Sequence, residues 1–236
     1  MTSKRFLLLL PVLMALLLSL SLHAPAKLLA GMVPAGIGIE RWGGTLVDGQ
    51  VSGHYRLQPY HLRWTLQLHA LFRLSLQADV RLRGPLEADF VLQKRPMGWS
   101  LHANRLSLQP AASVWLGTDT QLTHWQGGPL LLDRRGDGAW RQASGELRTA
   151  GGPMRLSLQG QLHTLTLPPS RLGLAVEQDA LHVSLMQNDR QPLASVRLSA
   201  DQRIEWQLRD RLLRLKPGFV SQNDPDLVVL KVSEPL

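Results

Sequence analysis

Between Leu62 and Leu82 the chain alternates apolar and polar residues with a period of two. The even positions read Leu62, Trp64, Leu66, Leu68, Ala70, Phe72, Leu74, Leu76, Ala78, Val80 and Leu82. The odd positions between them are polar or charged, Arg63 to Arg81, with Leu71 as the exception. Successive side chains of an extended strand point to opposite faces, so this stretch predicts strand with one apolar face. It is far longer than an ordinary strand of about five or six residues. Two strands are therefore predicted, joined by a tight turn or kink near His69-Ala70-Leu71.

The same alternation returns at Trp99 to Ala103, Leu106 to Leu108, Met154 to Leu158, Leu172 to Val176, Leu181 to Leu185, Val196 to Leu198 and Ile204 to Leu208. Between these runs lie turn formers: Asp48-Gly49, Arg83-Gly84-Pro85, Gly127-Gly128-Pro129, Gly136-Asp137-Gly138, Gly151-Gly152-Pro153 and Asn188-Asp189. Short alternating runs separated by glycine and proline predict antiparallel pairing. Beyond residue 40 only Pro110 to Leu116 has the makings of a short helical turn. The predicted class is all-β, either a sandwich or a long curved sheet with one apolar face. Arg-Leu-Ser-Leu-Gln recurs at Arg73, Arg105 and Arg155 with irregular spacing, which reads as a reused strand cassette and not as a solenoid.

The amino terminus follows a different pattern. After Lys4 and Arg5, the stretch Phe6 to Leu22 carries no charge and is nearly pure leucine, with Phe6, Leu10, Leu13, Leu17 and Leu22 among its apolar positions. As a helix it covers about 25 Å, close to the roughly 30 Å of a bilayer core. It is longer than the about 7 to 15 residues of a signal-peptide core. A retained membrane anchor is the preferred reading, although Ala24-Pro25-Ala26 resembles a small-residue cleavage site. Lys4 and Arg5 ahead of the span place the amino terminus in the cytoplasm. The expected organisation is a cytoplasmic stub at 1–5, an anchor at 6–23, a Pro/Gly connector at 24–40 and an all-β periplasmic domain at 41–236.

Charge changes this picture little. Lys and Arg number 26 against 18 Asp and Glu, giving a net charge of +8. Yet Arg63, Arg73, Arg81, Arg105, Arg155 and Arg197 are scattered over alternating segments, as on a solvated strand face, and are not gathered on one stripe as a nucleic-acid binder requires. Such a basic surface suits anionic lipid headgroups. The absence of cysteine removes disulfides, thiolate metal sites and a cysteine nucleophile.

No sequence motif for catalysis is present: neither Gly-x-Ser-x-Gly, a phosphate-binding loop, Gly-x-Gly-x-x-Gly nor His-Glu-x-x-His occurs. The eight histidines lack metal spacing, and His54 with His61 is the one pair that a hairpin would bring together. Asp133, Asp137 and Glu146 flank glycine-rich turns, where acidic side chains commonly cap backbone groups. No enzyme activity, metal or cofactor is expected. Seven tryptophans outnumber four Phe and two Tyr. Trp64 and Trp206 are in phase with the apolar alternation and are expected in the core. Trp42, Trp125 and Trp140 adjoin glycines, where an exposed contact patch is the alternative to core packing.

A single span, Ala24-Pro25-Ala26, the connector around Pro34-Ala35-Gly36-Ile37, the turn Gly44-Thr45-Leu46-Val47-Asp48-Gly49 and Trp64 in an alternating strand together resemble the type II secretion system protein N family. Gly44, Thr45, Leu46 and Gly49 match its Gly-Thr-Leu-Trp-x-Gly turn, while Val47 stands where the family has Trp. The segment Gly138 to Ala143 around Trp140 is similar to a second, looser family segment.

The resemblance implies an inner-membrane accessory component of the machinery that exports folded proteins from the periplasm. Its partners would be other inner-membrane or secretin subunits of that system, contacted through Gly44, Thr45, Leu46, Gly49, Trp64 and Trp140. A second reading fits the same alternation: a periplasmic carrier of lipid or lipopolysaccharide with an apolar β groove. A closed sandwich with a filled core favours the first, and an open trough of lipid size favours the second.

Overall fold

The computed structural model describes residues 23–33, 36–114, 123–158 and 161–235. The predicted anchor over 6–23, with Phe6, Leu10, Leu13, Leu17 and Leu22, lies outside them apart from His23. Among the described residues no helix is long and apolar enough to cross a membrane. Ala26–Met32 forms a 3-10 turn within the stretch read as connector, and the first strand already begins at Ile37.

The strands are β1 Ile37–Gly44, β2 Asp48–Tyr55, β3 Gln58–Leu66, β4 Leu76–Arg83, β5 Leu86–Arg95, β6 Gly98–Leu108, β7 Trp125–Gly127, β8 Leu130–Arg135, β9 Trp140–Thr149, β10 Gly152–Leu158, β11 Gln161–Leu167, β12 Ser170–Glu177, β13 Ala180–Gln187, β14 Pro192–Leu198, β15 Arg203–Arg209 and β16 Val228–Pro235. All but two of them form one fourteen-stranded antiparallel sheet, in which strands follow one another almost in chain order. β7 and β8 divide one place between β6 and β9. The hairpin β10–β11 leaves the sheet after β9 and stands as a separate pair. The all-β antiparallel prediction holds, and the long alternating run breaks where expected, at a 3-10 turn over Leu68–Arg73. A second such turn occupies Pro110–Val114.

Coverage divides the sheet in two. Met154 of β10 with Leu165 and Leu167 of β11 pack against Ala103, Trp125, Leu130, Leu147 and Leu193 of the main sheet, and Leu212 of the helical turn Asp210–Leu213 joins them. Beside this core, Trp140, Ala143 and Leu181 are buried against Trp99, Leu132 and Val183. Apart from Gly49 and Gly53, the first four strands bury only Val51 and Trp64, with Ala26 of the 3-10 turn laid across them. The molecule is thus two-layered over its later strands and nearly single-layered over β1 to β4.

Three β-bulges in β1, β6 and β9 help decide which side chains face this interior. Glu40 is the extra residue between Ile39 and Arg41, Asn104 between Ala103 and Arg105, and Arg141 between Trp140 and Gln142. Each shifts the alternation by one, so Ile39 with Trp42, Ala103 with Leu106, and Trp140 with Ala143 share a face despite their parity. Trp206 departs from expectation. It is 41% exposed, stands between Val196 of β14 and Val232 of β16, and belongs to none of the three buried clusters.

Candidate functional site

The face of β1 to β4 that lacks a second layer forms an open trough of about 770 Å³. Ile37, Ile39 and Trp42 of β1 and Val51 of β2 line one wall, and Leu62, Trp64 and Leu66 of β3 with Leu76, Val80 and Leu82 of β4 line the other. Leu29 and Val33 from the amino-terminal segment overhang it. No charged side chain is among its lining residues. Such alternation puts the charges on the reverse face, where Glu40 meets His54 Nδ1 at 2.7 Å, Asp48 meets Arg63 at 3.6 Å and Asp89 meets Arg83 at 2.7 Å. These pairs are largely exposed and contribute at most about 1 kcal/mol each. The trough's polar atoms are turned to its walls: Tyr60 Oη donates to the Gly38 carbonyl at 3.5 Å, and Trp64 Nε1 donates to the Leu46 carbonyl at 2.9 Å. Burial pushes the Tyr60 hydroxyl above its ordinary pKa, so it stays neutral.

The Gly44 to Gly49 turn stands at one end of this trough. Thr45 N donates to the Asp48 carbonyl at 2.8 Å, and Thr45 Oγ1 accepts from the amides of Val47 and Asp48 at 3.3 and 3.1 Å. Gly44 has φ +77°, and a Cβ there would lie 2.2 Å from the Asp48 carbonyl oxygen. A Cβ on Gly49 would lie 2.2 Å from the Trp64 ring, so glycine lets the indole pack against the turn. Leu46 N donates to the Ala24 carbonyl at 2.9 Å, and Pro25 forms a bridge with Thr45. Leu66 N donates to the Val47 carbonyl at 2.7 Å. The turn therefore ties the segment arriving from residue 24 to the edge of the trough.

Of the residues singled out in the sequence, Gly44, Thr45, Leu46, Gly49 and Trp64 come together at this one place. Trp140 does not join them. It lies in the second buried cluster at 4% exposure, edge-on to Trp99 with ring centroids 5.8 Å apart and under the Arg134 guanidinium. It packs the interior and offers no surface contact. Trp125 is likewise buried, whereas Trp42 lines the trough.

The imagined catalytic groups stay apart. His61 pairs across the hairpin with Ser52 and His54 with Pro59, and His54 is held by Glu40. Asp137 caps its own turn, accepting from Ala139 N at 3.0 Å, a bond that lowers its carboxyl pKa. Glu146 pairs with Arg148 at 2.6 Å, and Asp133 lies 3.9 Å from Arg141. Among the described residues no group of three or more His, Cys, Asp or Glu is placed to hold a metal ion.

Phe72 and Leu74 were expected on the apolar strand face with their even-numbered neighbours. They stand instead at the tip of the β3–β4 connection, 94% and 78% exposed. The signal in the sequence was Leu71, the one break in the alternation. Comparison with protein-family models, with curated proteins and with solved structures gives no match.

Proposed function

We propose that this chain is a non-enzymatic protein tethered to the inner membrane, whose periplasmic β domain cradles an acyl chain of a membrane lipid. The observation that supports this is the trough of about 770 Å³, a size typical of small-molecule sites, with an uncharged lining and no covering layer. Water against such a surface is unfavourable, and each methylene placed there is worth about 0.8 kcal/mol relative to water. Relative to a bilayer the transfer is nearly neutral, because lipid tails are as apolar as leucine. A site of this kind exchanges chains with a membrane without trapping them.

A second reading rests on the resemblance to the protein N family: an accessory component of the type II secretion system, in contact with its inner-membrane or secretin subunits. The Gly44 to Gly49 turn supports it, since these residues build one defined shape beside the tethering segment. The two readings are compatible in one molecule. They are separated by affinity capture of the detergent-solubilised full-length protein from native membranes, with bound lipids and proteins identified by mass spectrometry. Lipid at about one molecule per chain, lost in Leu62→Asp, supports the cradle, and its absence overturns it. Co-purifying secretion subunits, lost in Gly49→Val, support the second reading, and lipid without those subunits overturns that one.

A further inference from the structure

The trough opens at one end onto an exposed apolar tip. Between β3 and β4, Leu71, Phe72 and Leu74 project from the 3-10 turn, flanked by Arg73. The tip is braced from beneath. Ala70 is buried, Ser75 N and Oγ both donate to the Ala70 carbonyl at 3.1 Å, and Gln93 Nε2 donates to Ser75 Oγ at 3.3 Å. A braced turn that presents large apolar side chains to water is not a collapsed or spare loop.

Topology fixes where this tip lies. β2 and β3 are antiparallel with Asp48 opposite Thr65, so the Gly44 to Gly49 turn and the Leu68–Arg73 turn sit at the same end of the sheet. That end also receives the segment from residue 24, through the Ala24–Leu46 hydrogen bond and the Pro25–Thr45 bridge. Leu76 pairs with Lys94, which sets the β5–β6 hairpin alongside, with Met97 81% exposed and Lys94 and Arg95 exposed beside it. Leu66 and Leu76 at this end line the trough itself. The exposed apolar tip therefore stands at the end of the trough that Leu66 and Leu76 line, with Arg73, Lys94 and Arg95 at the same end.

From this we infer that the Leu71–Leu74 tip, with Met97, dips into the headgroup region of an anionic bilayer and holds the trough mouth on the membrane. Basic side chains meet lipid phosphates while Phe72, Leu74 and Met97 reach the acyl boundary. The inference rests on the inner-membrane reading for its bilayer and names the surface from which the trough is filled. At the opposite end the β2–β3 turn exposes Leu57 as strongly, at 92%, but there it is a single aliphatic side chain between Arg56 and Gln58, with Arg56 over the Tyr55 ring, and serves as the control.

The chain has no cysteine, so a single introduced one reports one place. Full-length Phe72→Cys and Leu57→Cys proteins, each carrying an environment-sensitive fluorophore, are reconstituted in vesicles of phosphatidylethanolamine and phosphatidylglycerol with or without spin-labelled acyl chains. Docking predicts a blue-shifted label at position 72, quenched several-fold more by the acyl spin labels than the label at position 57. Replacing phosphatidylglycerol by phosphatidylcholine reduces that difference. Equal quenching at both positions, or a water-exposed label at 72, overturns the inference. The doubly altered Phe72→Ser, Leu74→Ser chain provides a second measurement. It should keep the melting temperature and the lipid recovered in detergent, yet take up lipid from vesicles several-fold more slowly; unchanged uptake also overturns docking. Loss of lipid binding in detergent by the unaltered protein would instead count against the trough reading alone.

Discussion

At residue scale, the Gly44 to Gly49 turn has a physical reason at each matching position. Gly44 supplies a left-handed backbone, Thr45 caps two amides, Leu46 lends its carbonyl to the indole and Gly49 makes room for that ring. Gly49→Ala forces a methyl into the Trp64 ring and should cost about 1–3 kcal/mol. Thr45→Ala removes a cap and should cost about 1 kcal/mol, both read by chemical denaturation followed by circular dichroism. A second residue-scale prediction concerns acid. Asp210 is fully buried and accepts a hydrogen bond from Arg214 Nε at 2.7 Å, which holds its carboxyl below the ordinary 3.8. Depressed carboxyls stabilise the folded chain above their unfolded value and lose that contribution as pH falls through the folded one. Asp137, Asp201 and Glu205 are shifted the same way. Stability should therefore be insensitive to these groups near neutral pH and fall below about pH 4. Asp210→Asn should lower the melting temperature by several degrees at pH 7, with the gap from the natural chain narrowing in acid.

At element scale, the turn formers were partial guides and the bulges were hidden. Glycine and proline limit backbone geometry locally and mark the turns at Gly84-Pro85, Gly128-Pro129 and Gly136 to Gly138, but Asp48-Gly49 begins β2, and the β2–β3 and β12–β13 hairpins turn on left-handed Arg56-Leu57 and Gln178-Asp179 without either residue. A bulge, by contrast, looks in sequence like a loss of phase. Trp99 to Ala103 and Leu106 to Leu108 read as two runs, yet they belong to one strand carrying Asn104 as its extra residue. Trp140, read from its neighbouring glycine as a contact residue or a core residue, likewise shares a buried face with Ala143 across the bulge at Arg141. Coverage by the β10–β11 hairpin was also invisible, since that hairpin alternates like every other strand. It makes a measurable difference. Leu165→Ala or Leu167→Ala, each opening a closed core, should cost about 2–5 kcal/mol. Leu62→Ala on the uncovered trough leaves no sealed cavity and should cost clearly less, a contrast that one set of denaturation curves measures.

At the scale of the whole molecule, one sheet does two jobs because its second layer is too short to cover it. The later strands, closed by β10–β11 and the Asp210–Leu213 turn, form the stable body, and β1 to β4 present the trough and the tip. The sequence by itself determined the secondary structure class, the antiparallel hairpins and the apolar face of each run, because backbone geometry and side-chain alternation act over a few residues. It also marked the Gly44 to Gly49 turn and, through Leu71, the place where the long run turns back. Only the tertiary structure decided which apolar face is covered. Trp64 and Trp206 are both in phase, yet Trp64 is buried against the turn and Trp206 is half exposed. A filled core and an open trough require the same alternation, since both need apolar side chains on one face. What differs is whether another element lies within van der Waals reach, and that depends on residues far away along the chain.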